Sequence, residues 1–206
     1  MPDAPRPPGI PEHLLPDWTA IRSALAELQL FWQFHDRFCG NQEDVAMMME
    51  VLLCPFLILR TALLFTMVMQ VRSLLDPAKS RGRDNASLAR FVGLLKEDHP
   101  ALHAKLATLL KGIQDHCKPI ETWGNRRIGH ADLLTVAGRE AMPDVPQQDF
   151  ERALAMMRDL LQEVYSYFCG ADASVDLRGP IDGADKLLGY IRAGREAELA
   201  AIEAML

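Results

Sequence analysis

The chain has only four cysteines in 206 residues, Cys39, Cys54, Cys117 and Cys169, and no two of them form a CxxC pair. That spacing argues against a disulfide framework and a zinc knuckle, and it fits reduced thiols in the cytoplasm. A basic excess is missing too: 22 Lys and Arg stand against 28 Asp and Glu, giving a net charge of -6 and a pI of about 5.5. A general polyanion-binding surface is not expected, although a local basic patch is compatible with this balance. The stretch from Met1 to Pro8 lacks both a basic n-region and an apolar h-region, so no secretory signal is expected. Residues 1–16 read instead as a flexible Pro-rich arm. No alternating β-branched run bounded by hairpin turns occurs, so strands are not expected, and no internal repeat points to a solenoid.

What is there is helical. With 49% hydrophobic residues, 17–206 can bury the core of a single domain. The expected fold is all-α, an up-and-down bundle of about five long helices plus a short one. Trp18, Ile21, Leu25, Leu28, Trp32 and His35 recur at intervals of three and four along a first helix that Gly40 ends. A second helix is expected from about Gln42 to Leu75, kinked or split at Pro55 and stopped by Asp76-Pro77. A basic loop spans 78–84, and Asn85 is a candidate cap for a short helix with Leu88, Phe91, Val92 and Leu95. Pro100 suits the first turn of a helix striped by Leu102, Leu106, Leu109, Leu110, Ile113, Cys117 and Ile120, with a kink expected at Pro119. Phe150, Leu154, Met157, Leu161, Val164 and Phe168 mark the next helix, closed by Gly170, and a last one begins near Ala184.

One segment has bilayer length: Leu52 to Val71 is apolar apart from Arg60. Arg60 near its centre and Pro55 near its start oppose a membrane span, and the amphipathic helices around it would use it as their core. No membrane association is expected.

Several side chains invite a chemical reading. His99 and His103 stand i, i+4 beside Asp98, but Pro100 breaks the regular helix there and no third ligand is indicated, so no metal is expected. His35, on an apolar stripe, reads as a satisfied core histidine. Met47, Met48 and Met49, with Met67 and Met69, read as core filler rather than a binding groove. Arg60 must pair with a carboxylate or reach water, because an unpaired buried charge is prohibitively costly.

The stretch Gly124-Asn125-Arg126-Arg127-Ile128-Gly129-His130 differs by its phase. If the helix before it continues at 100° per residue, Trp123, Arg126, Arg127 and His130 fall within an arc of roughly 100° that extends the apolar face. Arg126 and His130 are then i, i+4 neighbours. Guanidinium groups bind phosphate oxygens bidentately, and a histidine can exchange protons near neutral pH. The pair suits RNA cleavage, with His130 moving the proton of the 2′-hydroxyl or of the leaving oxygen and Arg126 offsetting charge on the phosphorane. The competing reading is structural: cations at a helix C-terminus are favoured by its dipole and pair with neighbours such as Asp132 or Glu121.

At these residues the chain resembles the HEPN superfamily, and in particular its abortive-infection branch linked to phage resistance. Two segments carry the resemblance. Trp123-Gly124-Asn125-Arg126-Arg127-Ile128-Gly129-His130-Ala131-Asp132 is similar to that branch's Arg-Asn-Lys-x-x-Ala-His-x-Asp pattern. Val71-Arg72-Ser73-Leu74-Leu75-Asp76-Pro77, followed by Asn85-Ala86-Ser87-Leu88, is similar to its helix–Asp–loop–Ser-Leu passage.

The resemblance implies a homodimer in which two Arg–His motifs face one another, with His130 and Arg126 as catalytic residues, Arg127 and Asn125 as substrate-binding residues, and no cofactor. RNA and an antitoxin or other protein are the implied partners. The family's arginine precedes its histidine by four to six intervening residues, positions occupied here by Asn125, Gly124 and Trp123. Either Arg126 substitutes from the adjacent turn, giving a metal-independent endoribonuclease, or the chain is a non-catalytic helical dimer that binds a nucleotide or a partner protein.

Overall fold

Apolar residues at helical spacing close into seven α-helices among the described residues of the computed structural model, which are 9–129, 145–170, 173–175, 177 and 182–205, with 127–129 and 182 described in backbone only. They are α1 (Leu15–Cys39), α2 (Gln42–Val51), α3 (Leu53–Leu75), α4 (Leu88–Leu94), α5 (Pro100–Trp123), α6 (Gln147–Cys169) and α7 (Asp182–Glu203). The fold is all-α, as the periodicity predicts. The residues group into two compact units, one made of residues up to 28 with 68–177, the other of 29–67 with those from 178 on.

In the first unit the stripes read from the sequence are the core. Trp18, Ile21, Leu25 and Leu28 of α1 are buried, as are Leu102, Leu106, Ile113, Cys117 and Ile120 of α5 and Phe150, Leu154, Met157, Leu161 and Val164 of α6. Pro100 stands at the start of α5, where its missing N–H is no loss, and the helix continues through Pro119 to Trp123. Of the arm expected at 1–16, residues 1–8 lie outside the described residues, and from Gly9 on the chain is packed, with Ile10 and Leu14 buried and a 3-10 turn at Glu12–Leu14.

The basic loop at 78–84 is a minimal hairpin, a departure from the expectation of no strands. Lys79–Ser80 pairs antiparallel with Arg83–Asp84. Both residues of its two-residue turn have positive φ, Arg81 at 48° and Gly82 at 78°, as a type I′ turn requires. Asn85 closes this hairpin instead of capping α4: its Nδ2 donates to the Pro77 carbonyl at 2.7 Å and its backbone N–H to Ala78 at 3.0 Å. The cap of α4 is Ser87, whose Oγ accepts from the Arg90 N–H at 3.3 Å. Arg90 then ties hairpin to helices, with Asp17 at 2.6 Å and Asp84 at 2.8 Å.

In the second unit, Phe38, Met47, Met48, Phe56, Ala184 and Leu188 form the core. Asp44 is buried on α2 and is matched by Arg192 of α7, while Arg195 meets Glu50 at 2.6 Å and Arg37 meets Asp185. The break expected at Pro55 falls at Leu52, whose φ of -136° and ψ of 43° separate α2 from α3. Pro55 sits instead in the first turn of α3, where no donor is needed.

Two further expectations for this unit are corrected. Apart from Phe56, the start of α3 is not core: Leu53, Leu57, Ile58 and Leu59 are exposed, Ile58 at 71%. Arg60 is exposed among them and so reaches water. Among the described residues α3 is the one helix long and apolar enough to cross a membrane, and only 22% of its most apolar window is buried. His35 is not satisfied by protein either. Its Nδ1 is buried with no hydrogen-bond partner among the described residues, its ring stacks on Trp32 at 5.9 Å, and burial, with the charge of Arg60, holds its pKa below the ordinary histidine value.

Candidate functional site

The α5 stripe runs unbroken to Ile120, and Gly124 ends the helix with its N–H directed to the carbonyls of Ile120 and Glu121. From Gly124 to Gly129 the backbone winds as a π-helix. Its hydrogen bonds run from i to i+5 rather than i to i+4, so each residue turns through less than the α-helical step. The phase computed for an ideal α-helix therefore does not hold over Arg126 and Arg127. Asn125 is exposed, and Arg126 is half-buried and engaged with its surroundings. Arg127 is described in backbone only, and His130 lies outside the described residues.

At the start of the π-turn, Gly124 leaves room for side chains of α3. A Cβ at Gly124 would stand 2.8 Å from Val68 Cγ1 and 2.5 Å from Arg72 Cδ, both closer than van der Waals contact allows. The stem of Arg72 thus lies along the first residue of the candidate stretch. Its Nη1 donates to the Met69 thioether at 3.6 Å, and among the described residues its guanidinium closes no ion pair with a carboxylate.

Glu121, one turn before Gly124, is half-buried. Burial pushes its carboxyl above the ordinary range, the nearby Asp76 adds to that, and the charges of Arg72 and Lys118 pull against it. The first unit thus gathers Arg72, Glu121 and Arg126 around the end of α5. The position of Arg72 and the burial of Glu121 were not legible in the sequence, where Glu121 reads only as an ion-pair neighbour and Arg72 as one residue of the passage from Val71 to Pro77. No spacing rule joins α3 to α5, so Gly124, which calls for a close neighbour, was the available signal.

The other candidates carry different chemistry. His99 Nδ1 stands 3.3 Å from Tyr167 Oη, and its ring meets Tyr167 and Phe168 edge-on. His116 Nε2 lies 3.0 Å from the Asp149 carbonyl oxygen and links α5 to α6. Burial pushes the Cys117 thiol up to about 12, which keeps it protonated and inert. Met47 and Met48 are buried in the second unit's core and Met67 is buried on α3, whereas Met69 is exposed beside Arg72. Among the described residues no group of three or more His, Cys, Asp or Glu could hold a metal ion.

Comparison with family profiles matches residues 18–185 to HEPN_AbiU2, described as AbiU2. No curated protein and no solved structure matches the chain.

Proposed function

Because the chain belongs to the HEPN_AbiU2 family, the abortive-infection-associated branch of the HEPN superfamily, we propose that it is an RNA-cleaving homodimer acting in phage defence in a toxin-like manner. His130 and Arg126 carry the chemistry, and Arg127 and Asn125 hold the RNA. One observation supports this reading above the others: the arginine stretch leaves α5 on a π-turn, a conformation frequent at functional sites, with Arg126 half-buried rather than spread on a solvated face. Adjacent arginines at one helix end, in a chain of net charge -6, support a local phosphate-binding patch.

The reaction that suits these groups is transesterification. A histidine takes the 2′-hydroxyl proton, the 2′-oxygen attacks the adjacent phosphorus, and the bond to the 5′-oxygen breaks. That oxygen leaves with a proton from an acid, so the products are a 2′,3′-cyclic phosphate and a 5′-hydroxyl. A guanidinium offsets the charge that gathers on the phosphorane. With two His130 side chains facing one another in a dimer, one serves as base and the other as acid.

The exposed apolar face of α3 supports the dimer, since a row of Leu53, Leu57 and Ile58 in water favours being covered by a second copy. The test is RNA cleavage by wild type beside His130→Ala, with thermal melts to show that both are folded. Wild type should cut single-stranded RNA and His130→Ala should lose at least about a hundredfold in rate. Intact RNA under wild type while a nucleotide or partner protein still binds would replace this reading with the non-catalytic one.

A further inference from the structure

We infer that Arg72, on α3, is a phosphate-binding residue of the RNA site, an inference that rests on the function proposed above. Three observations carry it. First, Gly124 occupies one of the three positions from which the family pattern would present its arginine, and the volume a side chain would fill there is taken by the Arg72 stem, with Cδ 2.5 Å and Nε 3.4 Å from the missing Cβ. The chain thus supplies at this turn, from another helix, the charge that the motif lacks at 123–125. Second, the Arg72 guanidinium is half-exposed and carries five N–H donors, of which only Nη1 has a partner among the described residues, the weakly accepting sulfur of Met69 at 3.6 Å. Third, Glu121 is near enough to feel the charge of Arg72, yet the two close no ion pair among the described residues, so the cation is not neutralised there. An uncommitted fork at the first residue of the candidate stretch suits the non-bridging oxygens of a backbone phosphate.

A phosphate contact by Arg72 has an electrostatic signature. The experiment measures binding of a 2′-O-methyl oligouridylate, which lacks the attacking hydroxyl and stays intact, to full-length wild type, Arg72→Gln and Arg72→Lys over a series of salt concentrations. Removing one phosphate contact to a single strand lowers the slope of log affinity against log salt by about 0.7. Arg72→Gln should show that loss, with affinity about tenfold weaker. Arg72→Lys should keep the wild-type slope and lose affinity through its missing fork. Should Arg72→Gln fail to fold, Arg72→Lys decides: weakened affinity at unchanged slope supports phosphate binding, and wild-type affinity overturns it.

If Arg72 only packs its stem over Gly124, both variants keep wild-type affinity and slope, and the inference is overturned. That result, alongside His130-dependent cleavage by wild type, leaves the proposed function standing. A wild type that neither binds nor cuts RNA removes both.

Discussion

Glu121 shows how a single residue reports on the end of α5. Its carboxyl is held above the ordinary range mainly by burial, so the folded protein favours the protonated form more than the unfolded chain does. The stability this lends is fully present below the unfolded pKa and is lost as pH rises through the folded one. Glu121→Gln should therefore be more stable than wild type at neutral pH and differ little at acid pH, a contrast that urea titrations at the two pH values will read. A variant less stable than wild type at neutral pH would mean that ionised Glu121 is held by Arg72 more strongly than burial opposes it. None of this was legible at Glu121 itself, because burial and a neighbour from another helix set its behaviour. Arg126 drew attention by its phase in an ideal α-helix, and that phase does not carry into the π-turn on which it sits.

Among the elements, those whose fate depends on their own periodicity were read correctly. Most residues that intervals of three and four select on α5 and α6 are buried, with Leu109 and Phe168 half-buried, and Gly40 and Gly170 follow the helices they were expected to end. Elements that depend on competition between neighbours were not. Pro55 looked like the break between α2 and α3, but a proline in a first turn costs no hydrogen bond, so the break settled at Leu52. Asn85 and Ser87 could each cap α4, and Asn85 was claimed by the hairpin.

The π-turn yields a prediction whose sign separates propensity from packing. Alanine favours a helix over glycine by about 1 kcal/mol, so by propensity Gly124→Ala should stabilise. The added Cβ would stand 2.8 Å from the buried Val68 and 2.5 Å from the Arg72 stem, and overpacking of that kind costs about 1–3 kcal/mol. Chemical denaturation should show Gly124→Ala destabilised by up to about 2 kcal/mol. A more stable variant would mean that α3 and α5 do not press together at this point.

For the whole molecule, composition misled in one respect. The run from Leu52 to Val71 reads as the centre of a bundle, yet the N-terminal half of α3 faces outward, with Ile58 exposed at 71%. Apolar content says that a surface favours being covered; it does not say whether this chain or another copy covers it. On the proposed function, a second copy of the chain covers it. Sedimentation should find wild type dimeric and Ile58→Glu monomeric, because a charge on that face would have to be buried unpaired. A monomeric wild type at high protein concentration would leave the face to another partner.

The central claim is that this dimer cuts RNA with its own side chains, and the ends of the products test it most directly. Wild type should generate fragments bearing 2′,3′-cyclic phosphate and 5′-hydroxyl termini, and His130→Ala should generate none above background. Fragments with 3′-hydroxyl and 5′-phosphate ends, or equal cutting by the folded His130→Ala protein, would contradict it.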